Sequence, residues 1–375
     1  MENIILEDTT LRDGEQSPGV AFSKKRKIAM LSALIEAGIK WVEVGIPAMG
    51  GDELGALEVL LERKDEAVLV AWNRGVAEDV KQSLQLGFKA VHIGLPTSNL
   101  HLGESLKKDR GWLLKTSSDL IKLAKDHGVF VSISAEDVGR SELGFVEEYA
   151  AHVAEAGADR IRLSDTVGIL TPDRYGNIVS RIKRASGIAV QCHAHNDFGL
   201  ATANTLAGIQ AGATFFHATV NGIGERAGMP DLAQCVMALK ILYNINLGVD
   251  ATKLIELSRI VARATHVECY PWQPIVGDNI FAHESGIHAA GILKNVKSFE
   301  PFLPELIGGT RRIVIGKHSG RASVNHALNA LGIKLTELEL VDCLRLVRAK
   351  SMKDEKALNQ DELLEVALSV NEFLS

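Results

Sequence analysis

The sequence has little of several features that mark whole classes of protein. Its 375 residues include only four cysteines. These lie far apart with no C-x-x-C pair, which excludes a disulfide framework and a cysteine-type zinc knuckle. No apolar run is long enough to cross a bilayer, and the acidic N-terminus does not have the pattern of a signal peptide. We therefore expect a cytoplasmic protein with free thiols and no membrane partner.

Positive charge is also scarce, because 41 Lys and Arg residues are outnumbered by 47 Asp and Glu residues, giving a net charge of −6. Nucleic-acid-binding domains normally carry an excess of basic residues, so we expect no nucleic-acid partner. The basic run Lys24-Lys25-Arg26-Lys27 is interpreted as a solvated helix face. Apolar residues make up 46% of the chain and charged residues 23%, which is typical of a globular protein with a substantial core.

Strand-like apolar runs alternate regularly with helical patterns along most of the chain. The runs are Ile4-Glu7, Trp41-Gly45, Ala67-Ala71, Ala90-Gly94, Val129-Ser134, Arg160-Leu163, Ile188-His193 and Thr214-Val220. Eight strand–helix units within roughly 250 residues indicate an α/β fold of the TIM (β/α)8 barrel type. An open doubly wound sheet is the alternative, and the count of eight strands disfavours it.

The pattern changes after the eighth run. We predict a TIM-barrel catalytic domain over residues 1–270 and a lid or linker subdomain over residues 271–320, where Gly, Pro and His are frequent. Helical patterns without strand alternation dominate residues 321–375, which predicts a helical C-terminal subdomain. The expected architecture is therefore a barrel followed by a mainly helical C-terminal region.

Polar side chains collect after several of the predicted strands, where TIM barrels carry their catalytic residues. His193 and His195 lie two positions apart at the end of the seventh strand, so their side chains project to the same face. Asp13 follows the first strand, and closure of the barrel brings the first strand close to the seventh. Two imidazoles and one carboxylate are typical of a catalytic metal site, and they leave Mg²⁺, Mn²⁺ and Zn²⁺ open.

Three long motifs carry a resemblance to a known family. They are Asp8-Thr9-Thr10-Leu11-Arg12-Asp13-Gly14-Glu15-Gln16, His193-Ala194-His195-Asn196-Asp197 and Gly222-Ile223-Gly224-Glu225-Arg226. The chain resembles the homocitrate synthase and 2-isopropylmalate synthase family, metal-dependent TIM-barrel enzymes that condense acetyl-CoA with a 2-oxo acid. The nitrogen-fixation type of homocitrate synthase is the nearest in length and in Val20-Ala21-Phe22. The leucine-binding regulatory domain of full-length 2-isopropylmalate synthases is not expected.

The resemblance implies a role for each matching position. The implied metal ligands are Asp13, His193 and His195. The implied catalytic residues are Arg12, Glu136 and His288. Arg12 would polarise the keto oxygen of the acceptor, while Glu136 and His288 would form an acid–base pair.

The resemblance also implies contacts to both substrates. Gln16 would lie close to the 2-oxo acid, and Thr166 would bond one of its carboxylates. The implied acetyl-CoA loop consists of Asn221, Gly222, Gly224 and Glu225. Met229 departs from the family pattern, because many 2-isopropylmalate synthases have an asparagine ligand there, and a thioether binds hard cations poorly. A water or the substrate is expected to take that position.

His288 lies beyond the predicted barrel, in a region where family members exchange segments across a dimer. We therefore expect a homodimer with a shared active site, in which His288 serves the neighbouring subunit. The segment from His283 to His288 superficially resembles the H-E-x-x-H motif of zinc proteases, but its spacing is one residue too long.

The predicted function is homocitrate synthesis from acetyl-CoA and 2-oxoglutarate, for nitrogenase cofactor, lysine or another pathway. Three polar candidates at strand ends, Arg74, Ser132 and Ser134, favour a second carboxylate on the acceptor. Acceptors such as 2-oxoisovalerate or pyruvate, giving 2-isopropylmalate or citramalate, stay open. A lyase related to hydroxymethylglutaryl-CoA lyase is less favoured, because the surroundings of Cys269 do not resemble that enzyme's catalytic cysteine loop. A non-catalytic barrel is disfavoured by the intact set of site residues.

Overall fold

The computed structural model describes residues 4–373. The chain forms two compact units, Met1–Glu268 and Cys269–Ser375. The boundaries expected from sequence at residues 270 and 320 stay predictions.

The first unit is a closed barrel of eight parallel strands in sequential order. The strands are β1 Ile5–Asp8, β2 Trp41–Gly45, β3 Val68–Arg74, β4 Ala90–Gly94, β5 Phe130–Glu136, β6 Arg160–Asp165, β7 Ala189–Ala194 and β8 Phe215–Ala218. Closure comes from β1, which pairs with β2 on one side and β8 on the other. The predicted TIM barrel is confirmed.

Helices cover the outside of the barrel. They are α1 Lys24–Glu36, α2 Gly51–Leu60, α3 Ala77–Leu86, α4 Arg110–Lys125, α5 Leu143–Glu155, α6 Pro172–Ser186, α7 Ala201–Gln210, α8 Leu232–Leu242 and α9 Leu254–Thr265. The Ser23 side chain caps α1 by accepting from the backbone N–H of Arg26. Gly38 follows with a φ of +87°, where a Cβ would lie 2.6 Å from the carbonyl oxygen of Gly248, so only glycine fits this turn.

One expectation for α1 is wrong. Lys27 is not part of a solvated face, because its side chain is only 1% exposed. Its ammonium group pairs with Glu15 at 2.6 Å and with Glu53 of α2. The two carboxylates compensate the cost of burying this charge. Both partners lie outside the basic run, so the run alone did not indicate that Lys27 would be buried.

The barrel interior is more polar than the layers of branched aliphatic side chains usual for this fold. Near the amino ends of the strands, the guanidinium of Arg160 lies over the rings of Trp41, Phe130 and Phe215 at 5.7, 5.4 and 4.7 Å. These three rings contact one another edge-on or tilted. Arg160 and the three rings therefore form one contact cluster near the amino ends of the strands.

The second unit is mainly helical, which confirms the expected C-terminal architecture. Its elements are β9 Ala282–His283, α10 Gly286–Lys294, β10 Arg312–Ile313, α11 Arg321–Ala330, α12 Glu337–Asp354 and α13 Gln360–Phe373. Buried apolar residues of the last three helices, such as Val324, Val347 and Leu363, form its core. Across the part of the chain that the structure describes, none of the helices combines the length and apolarity needed to cross a membrane.

Candidate metal centre and active site

The three predicted metal ligands lie together at the carboxyl end of the barrel. Asp13 follows β1, while His193 and His195 lie at the end of β7. One potential ligand atom from each residue lies within 4.8 Å of the others. The distance from Asp13 Oδ2 to His193 Nε2 is 3.7 Å. All three side chains are buried, so their donor atoms point into a protected space.

These side chains fit a divalent cation. The Nδ1 atom of His195 is buried and makes no hydrogen bond to any residue between positions 4 and 373, and a buried polar atom of this kind requires an explanation. Burial lowers the pKa of His193 and of His195, so both imidazoles are neutral at pH 7 and offer a lone pair to a metal. Oxygen and imidazole donors together suit Mg²⁺, Mn²⁺ or Zn²⁺.

Arg12 lies between the cluster and the larger of two nearby cavities, which it lines. Its Nη1 donates to Asp13 Oδ2 at 2.7 Å and to Gln16 Oε1 at 3.1 Å, while its Nε donates to Glu43. Burial acts to lower the pKa of Arg12, but Glu43 and Asp13 outweigh burial and raise it. The guanidinium is therefore a fixed positive charge beside the metal ligands, suited to an oxygen on which negative charge develops.

Glu136 lies at the end of β5, across the barrel mouth. Burial raises the pKa of Glu136, and the Ser134 hydroxyl donates to its Oε1 at 3.3 Å. A raised pKa makes this carboxyl group hold its proton more strongly than an exposed glutamate does, which suits a group proposed for acid–base catalysis. Thr166 follows β6, and its hydroxyl accepts from the backbone N–H of Asp137 at 2.8 Å. Because Asp137 is the residue after Glu136, this hydrogen bond holds Thr166 close to the end of β5.

The candidate pocket residues lie in different surroundings. Arg74 is well exposed and binds Asp79 through Nε at 2.7 Å and Nη2 at 2.9 Å. Ser132 is buried inside the barrel, where it accepts from Arg160 Nε at 3.0 Å and bonds His92. Ser134 is buried as well. Their roles in substrate binding stay predictions.

Two cavities lie near Arg12. The smaller one, of about 410 Å³, is lined by residues that include Trp72, Arg74, His101, Lys108, Trp112 and Glu136. The larger one, of about 790 Å³, is lined by Arg12 and Gln16 and by parts of the segments 20–24 and 45–56. The Arg12 guanidinium lies 5.9 Å from the ring centre of Trp72, which lines the smaller cavity, and Arg12 itself lines the larger one.

The predicted acetyl-CoA loop approaches the metal ligands from the β8 side. The backbone N–H of Gly224 donates to Ser17 Oγ at 2.7 Å, and that of Glu225 donates to Asp13 Oδ1 at 3.4 Å. A Cβ on Gly224 would lie 2.9 Å from Asp13 Oδ1 and from Met229 Cγ. Glycine is therefore required here for the backbone to come this close to the ligand. Asn221 has a φ of +64° and donates to the Ser258 carbonyl at 2.9 Å.

His288 belongs to the second unit, on α10. Its ring stacks on Phe299, with centroids 4.2 Å apart and an interplanar angle of 27°. Its catalytic role stays a prediction. His283 bonds Glu300 at 3.1 Å.

A buried network below the metal ligands could not be foreseen from the motifs. It consists of Glu7, Glu43, Arg160, Arg162 and His217. Although burial opposes it, Arg160 and His217 lower the pKa of Glu7 to about 2. Burial, with Arg162, lowers the pKa of His217 to about 4. The available signal was the placement of charged residues two apart in strand-like runs, as at Arg160 and Arg162.

Comparison with known proteins identifies the family. A family profile described as HMGL-like matches residues 3–261, and one described as homocitrate synthase post-HMGL domain-like matches residues 275–357. The chain is 61% identical to a 2-phosphonomethylmalate synthase of Streptomyces rubellomurinus, covering 97% of this chain and 98% of that one. It is 44% identical to homocitrate synthase 1 of Nostoc sp., covering 97% of each chain.

A solved structure of the HMG-CoA lyase of Bacillus subtilis has the same fold, with a TM-score of 0.63, 17% identity, and coverage of 72% of this chain and 95% of that one. The chain therefore belongs to the HMGL-like family, in its homocitrate synthase and 2-isopropylmalate synthase branch, which confirms the predicted family. Enzymes of this branch condense acetyl-CoA with 2-oxo acids and use a divalent metal.

Proposed function

We propose that the protein condenses acetyl-CoA with 3-phosphonopyruvate to give 2-phosphonomethylmalate and CoA. The product is a malate with a phosphonomethyl group on C2. Disconnecting the bond between the acetyl-derived carbon and C2 leaves an acetyl group and 3-phosphonopyruvate, so the reaction is the family's condensation with a phosphonate-bearing acceptor. The 61% identity with a 2-phosphonomethylmalate synthase over nearly the full length of both chains supports this acceptor.

The observation that carries the proposal is the smaller cavity, whose lining includes both basic and aromatic side chains. Lys108 lines it and lies 5.6 Å from the ring centre of Trp112, and none of the ion pairs described among residues 4–373 involves Lys108. Arg74 and His101 add basic groups to the same lining. A phosphonate brings up to two negative charges, and Lys and Arg are the side chains that bind such groups best. We propose that the acceptor's acidic tail lies here.

The proposed mechanism begins with placement of the two substrates. Asp13, His193 and His195 would hold Mg²⁺, Mn²⁺ or Zn²⁺, which supplies a Lewis acid for the acceptor's keto group when bound. Thr166 and Gln16 would hold the carboxylate end of the acceptor. Acetyl-CoA, the larger substrate, would occupy the larger cavity, with Asn221, Gly222, Gly224 and Glu225 near its thioester end.

The bond-forming step needs a base and a stabilised oxyanion. Glu136 and His288 form the proposed acid–base pair that removes a proton from the acetyl methyl group. The methyl carbon then forms a bond to the keto carbon, and Arg12 donates hydrogen bonds to the oxygen that gains negative charge. Water hydrolyses the thioester, which releases CoA and the free acid.

Homocitrate synthesis is the second candidate. The similarity to homocitrate synthase 1 of Nostoc sp. extends over 97% of each chain, and 2-oxoglutarate also carries a second carboxylate that basic side chains would bind. The predicted role in nitrogen fixation belongs to this candidate. Acceptors without a second acidic group, such as 2-oxoisovalerate or pyruvate, would bring no negative charge to pair with Lys108.

A thiol-release assay separates these acceptors. The purified protein is given acetyl-CoA, a divalent metal, and 3-phosphonopyruvate, 2-oxoglutarate, 2-oxoisovalerate or pyruvate. Pyruvate is the matched control, because it lacks only the phosphonate. We expect the highest kcat/KM with 3-phosphonopyruvate, and product mass should confirm 2-phosphonomethylmalate. A higher kcat/KM with 2-oxoglutarate would establish the second candidate instead, and no CoA release with any acid would contradict both.

The shared active site is a separate proposal. We propose a homodimer in which His288 acts in the neighbouring subunit. Mixing an inactive Asp13→Asn variant with an inactive His288→Ala variant should restore part of the activity after subunit exchange. No recovery in mixed dimers that have been isolated and verified would contradict sharing.

A further inference from the structure

A chain of hydrogen bonds leads from one metal ligand into the barrel interior. His193 Nδ1 lies 2.9 Å from His217 Nδ1, and His217 Nε2 lies 2.9 Å from Glu7 Oε1. Adjacent strands produce this arrangement, because β7, β8 and β1 are neighbours and Glu7 is directly opposite His217 in the β1–β8 register. The β7–β8 register places Cys192 opposite Phe216, and one further step brings His193 beside His217.

The charges around Glu7 fix where the protons lie. Arg160 Nη1 pairs with Glu7 Oε2 at 2.6 Å, and Arg162 Nη2 lies 3.3 Å from its Oε1. Two guanidinium groups keep this buried carboxylate ionised, so it can only accept hydrogen bonds. The 2.9 Å contact with Glu7 is therefore a hydrogen bond only when Nε2 of His217 carries the proton.

The proton on Nε2 determines the state of both imidazoles. Arg162 Nη2 lies 3.2 Å from His217 Nε2 and could donate to it only if that nitrogen had no proton. The shorter contact of 2.9 Å with Glu7 assigns the proton to Nε2, and the nearby guanidinium charge opposes a second proton on the ring. Nδ1 of the neutral His217 is therefore an acceptor, and Nδ1 of His193 must donate to it. The remaining nitrogen of His193, Nε2, keeps its lone pair and is the one that lies 3.7 Å from Asp13 Oδ2.

We propose that Glu7 and His217 are positioning residues that hold His193 in the tautomer whose Nε2 is free to bind the metal. The inference rests on the proposed metal ligands Asp13, His193 and His195, and it does not depend on which 2-oxo acid is the acceptor. Metal-bound histidines usually donate their second N–H to a carboxylate or carbonyl, which sets ring orientation and tautomer. Here a second imidazole stands between the ligand and the carboxylate, so Glu7 acts on His193 through His217.

The tautomer can be measured in the wild-type protein without any substitution. Protein with ¹⁵N-labelled histidine is treated with a chelator, and two-bond ¹⁵N–¹H correlations report which ring nitrogen carries the proton. The expected spectrum shows His193 protonated at Nδ1 and His217 protonated at Nε2. A His193 that is protonated at Nε2 would overturn the proposal.

A pair of amide variants tests the consequence for metal binding. In His217→Asn the amide oxygen can take the place of Nδ1 and accept from His193, whereas His217→Gln reaches toward Glu7 and leaves His193 without its acceptor. Loss of such a supporting contact weakens metal binding by about 10- to 100-fold in other sites. We expect a loss of this size for Mn²⁺, measured by electron paramagnetic resonance of the free ion, in H217Q, with H217N closer to the wild type.

The outcomes separate this inference from the proposed function. A folded H217Q variant that binds Mn²⁺ as tightly as the wild type would overturn the positioning role while leaving the metal centre intact. If the wild type binds none of Mg²⁺, Mn²⁺ and Zn²⁺, the metal centre itself is wrong, and the wild-type tautomer spectrum still decides the state of His193. If either variant does not fold, that spectrum decides alone.

Discussion

Two buried triads in this barrel contain the same kinds of donor and behave differently. Asp13, His193 and His195 form one, and Glu7, Glu43 and His217 form the other; in both, the candidate ligand atoms lie within 4.8 Å of one another. Arg160 and Arg162 pair with the carboxylates of the lower triad, Glu7–Glu43–His217. In the upper triad, Asp13–His193–His195, an imidazole nitrogen has no partner among residues 4–373.

This difference shows that proximity of donors does not by itself define a metal site. A cation entering the lower triad would meet the guanidinium charges of Arg12, Arg160 and Arg162, and the carboxylates already have their counterions. The upper triad has one arginine, Arg12, on one carboxylate oxygen and two neutral imidazoles. Uncommitted lone pairs, rather than residue types, therefore distinguish the candidate catalytic centre from the structural network beneath it.

The largest effect is expected from changing the upper triad. Asp13→Asn keeps the shape of the side chain but removes the anionic ligand, so CoA release should fall by at least about a thousandfold, equivalent to ~4 kcal/mol of barrier. Mn²⁺ binding should fall as well, while the urea midpoint of unfolding should change little. Asp65→Asn, the same chemical change at an exposed position, is the control and should retain full activity. Wild-type turnover in the Asp13 variant would contradict the proposed metal centre.

The lower triad should respond in stability instead. Glu7→Gln leaves Arg160 and Arg162 buried with less compensating charge, and breaking a buried ion pair in this way costs about 3–5 kcal/mol of unfolding free energy. Urea denaturation measures this loss. Glu66→Gln, which breaks a surface contact with Arg63, is the matched control and should unfold near the wild-type midpoint. If Glu7→Gln unfolds at that midpoint too, the lower triad is not the structural network described above.

The contrast between the triads also marks what the sequence could predict. The upper triad was predictable because it follows from local rules: His193 and His195 share a face through the two-residue period of a strand, and barrel closure brings Asp13 near. The lower network depends on contacts such as Glu7 with Arg160, 153 positions apart. No local pattern specifies which buried charges will meet, although a TIM-barrel strand order limits the choices.

Three further differences between expectation and structure have similar causes. Lys27 was expected in solvent because its sequence neighbours are basic, and its burial depends on Glu53 of another helix. The third strand extends to Arg74, beyond the expected end at Ala71, because its last residues pair with β4 as far as Gly94. The cavity residues Trp72 and Lys108 were missed because they come from different βα units and carry no motif.

Asp8 and Glu7 are adjacent buried carboxyl groups, but Asp8 has no cationic partner among the described contacts, and their pKa values shift in opposite directions. Burial raises the pKa of Asp8 to about 7, although Thr10 donates to it from its hydroxyl and its backbone N–H. The unfolded chain loses this proton near pH 4, so between pH 4 and 7 the folded state binds more protons and stability falls as pH rises.

The expected loss attributable to Asp8 is roughly 2 kcal/mol between pH 5 and 7. Urea midpoints of the wild type and of Asp8→Asn at both pH values measure it. The wild type should lose more stability than the variant over this range, because the amide does not titrate. Parallel pH profiles would show that Asp8 is ionised in the folded protein, as Glu7 is.

The cavity side chains Arg74 and Lys108 also differ in whether an acidic residue already pairs with them. Changing them gives the smallest predicted effect on activity. Arg74 already binds Asp79 with two nitrogens, whereas Lys108 has no acidic partner in the described part of the chain. Lys108→Gln should therefore lower kcat/KM for 3-phosphonopyruvate by about tenfold, ~1.4 kcal/mol, and Arg74→Gln should lower it less. Pyruvate turnover is the internal control and should be unchanged in both variants, because it has no phosphonate. An equal loss with pyruvate would mean that Lys108 supports the fold of the cavity rather than the acceptor's charge.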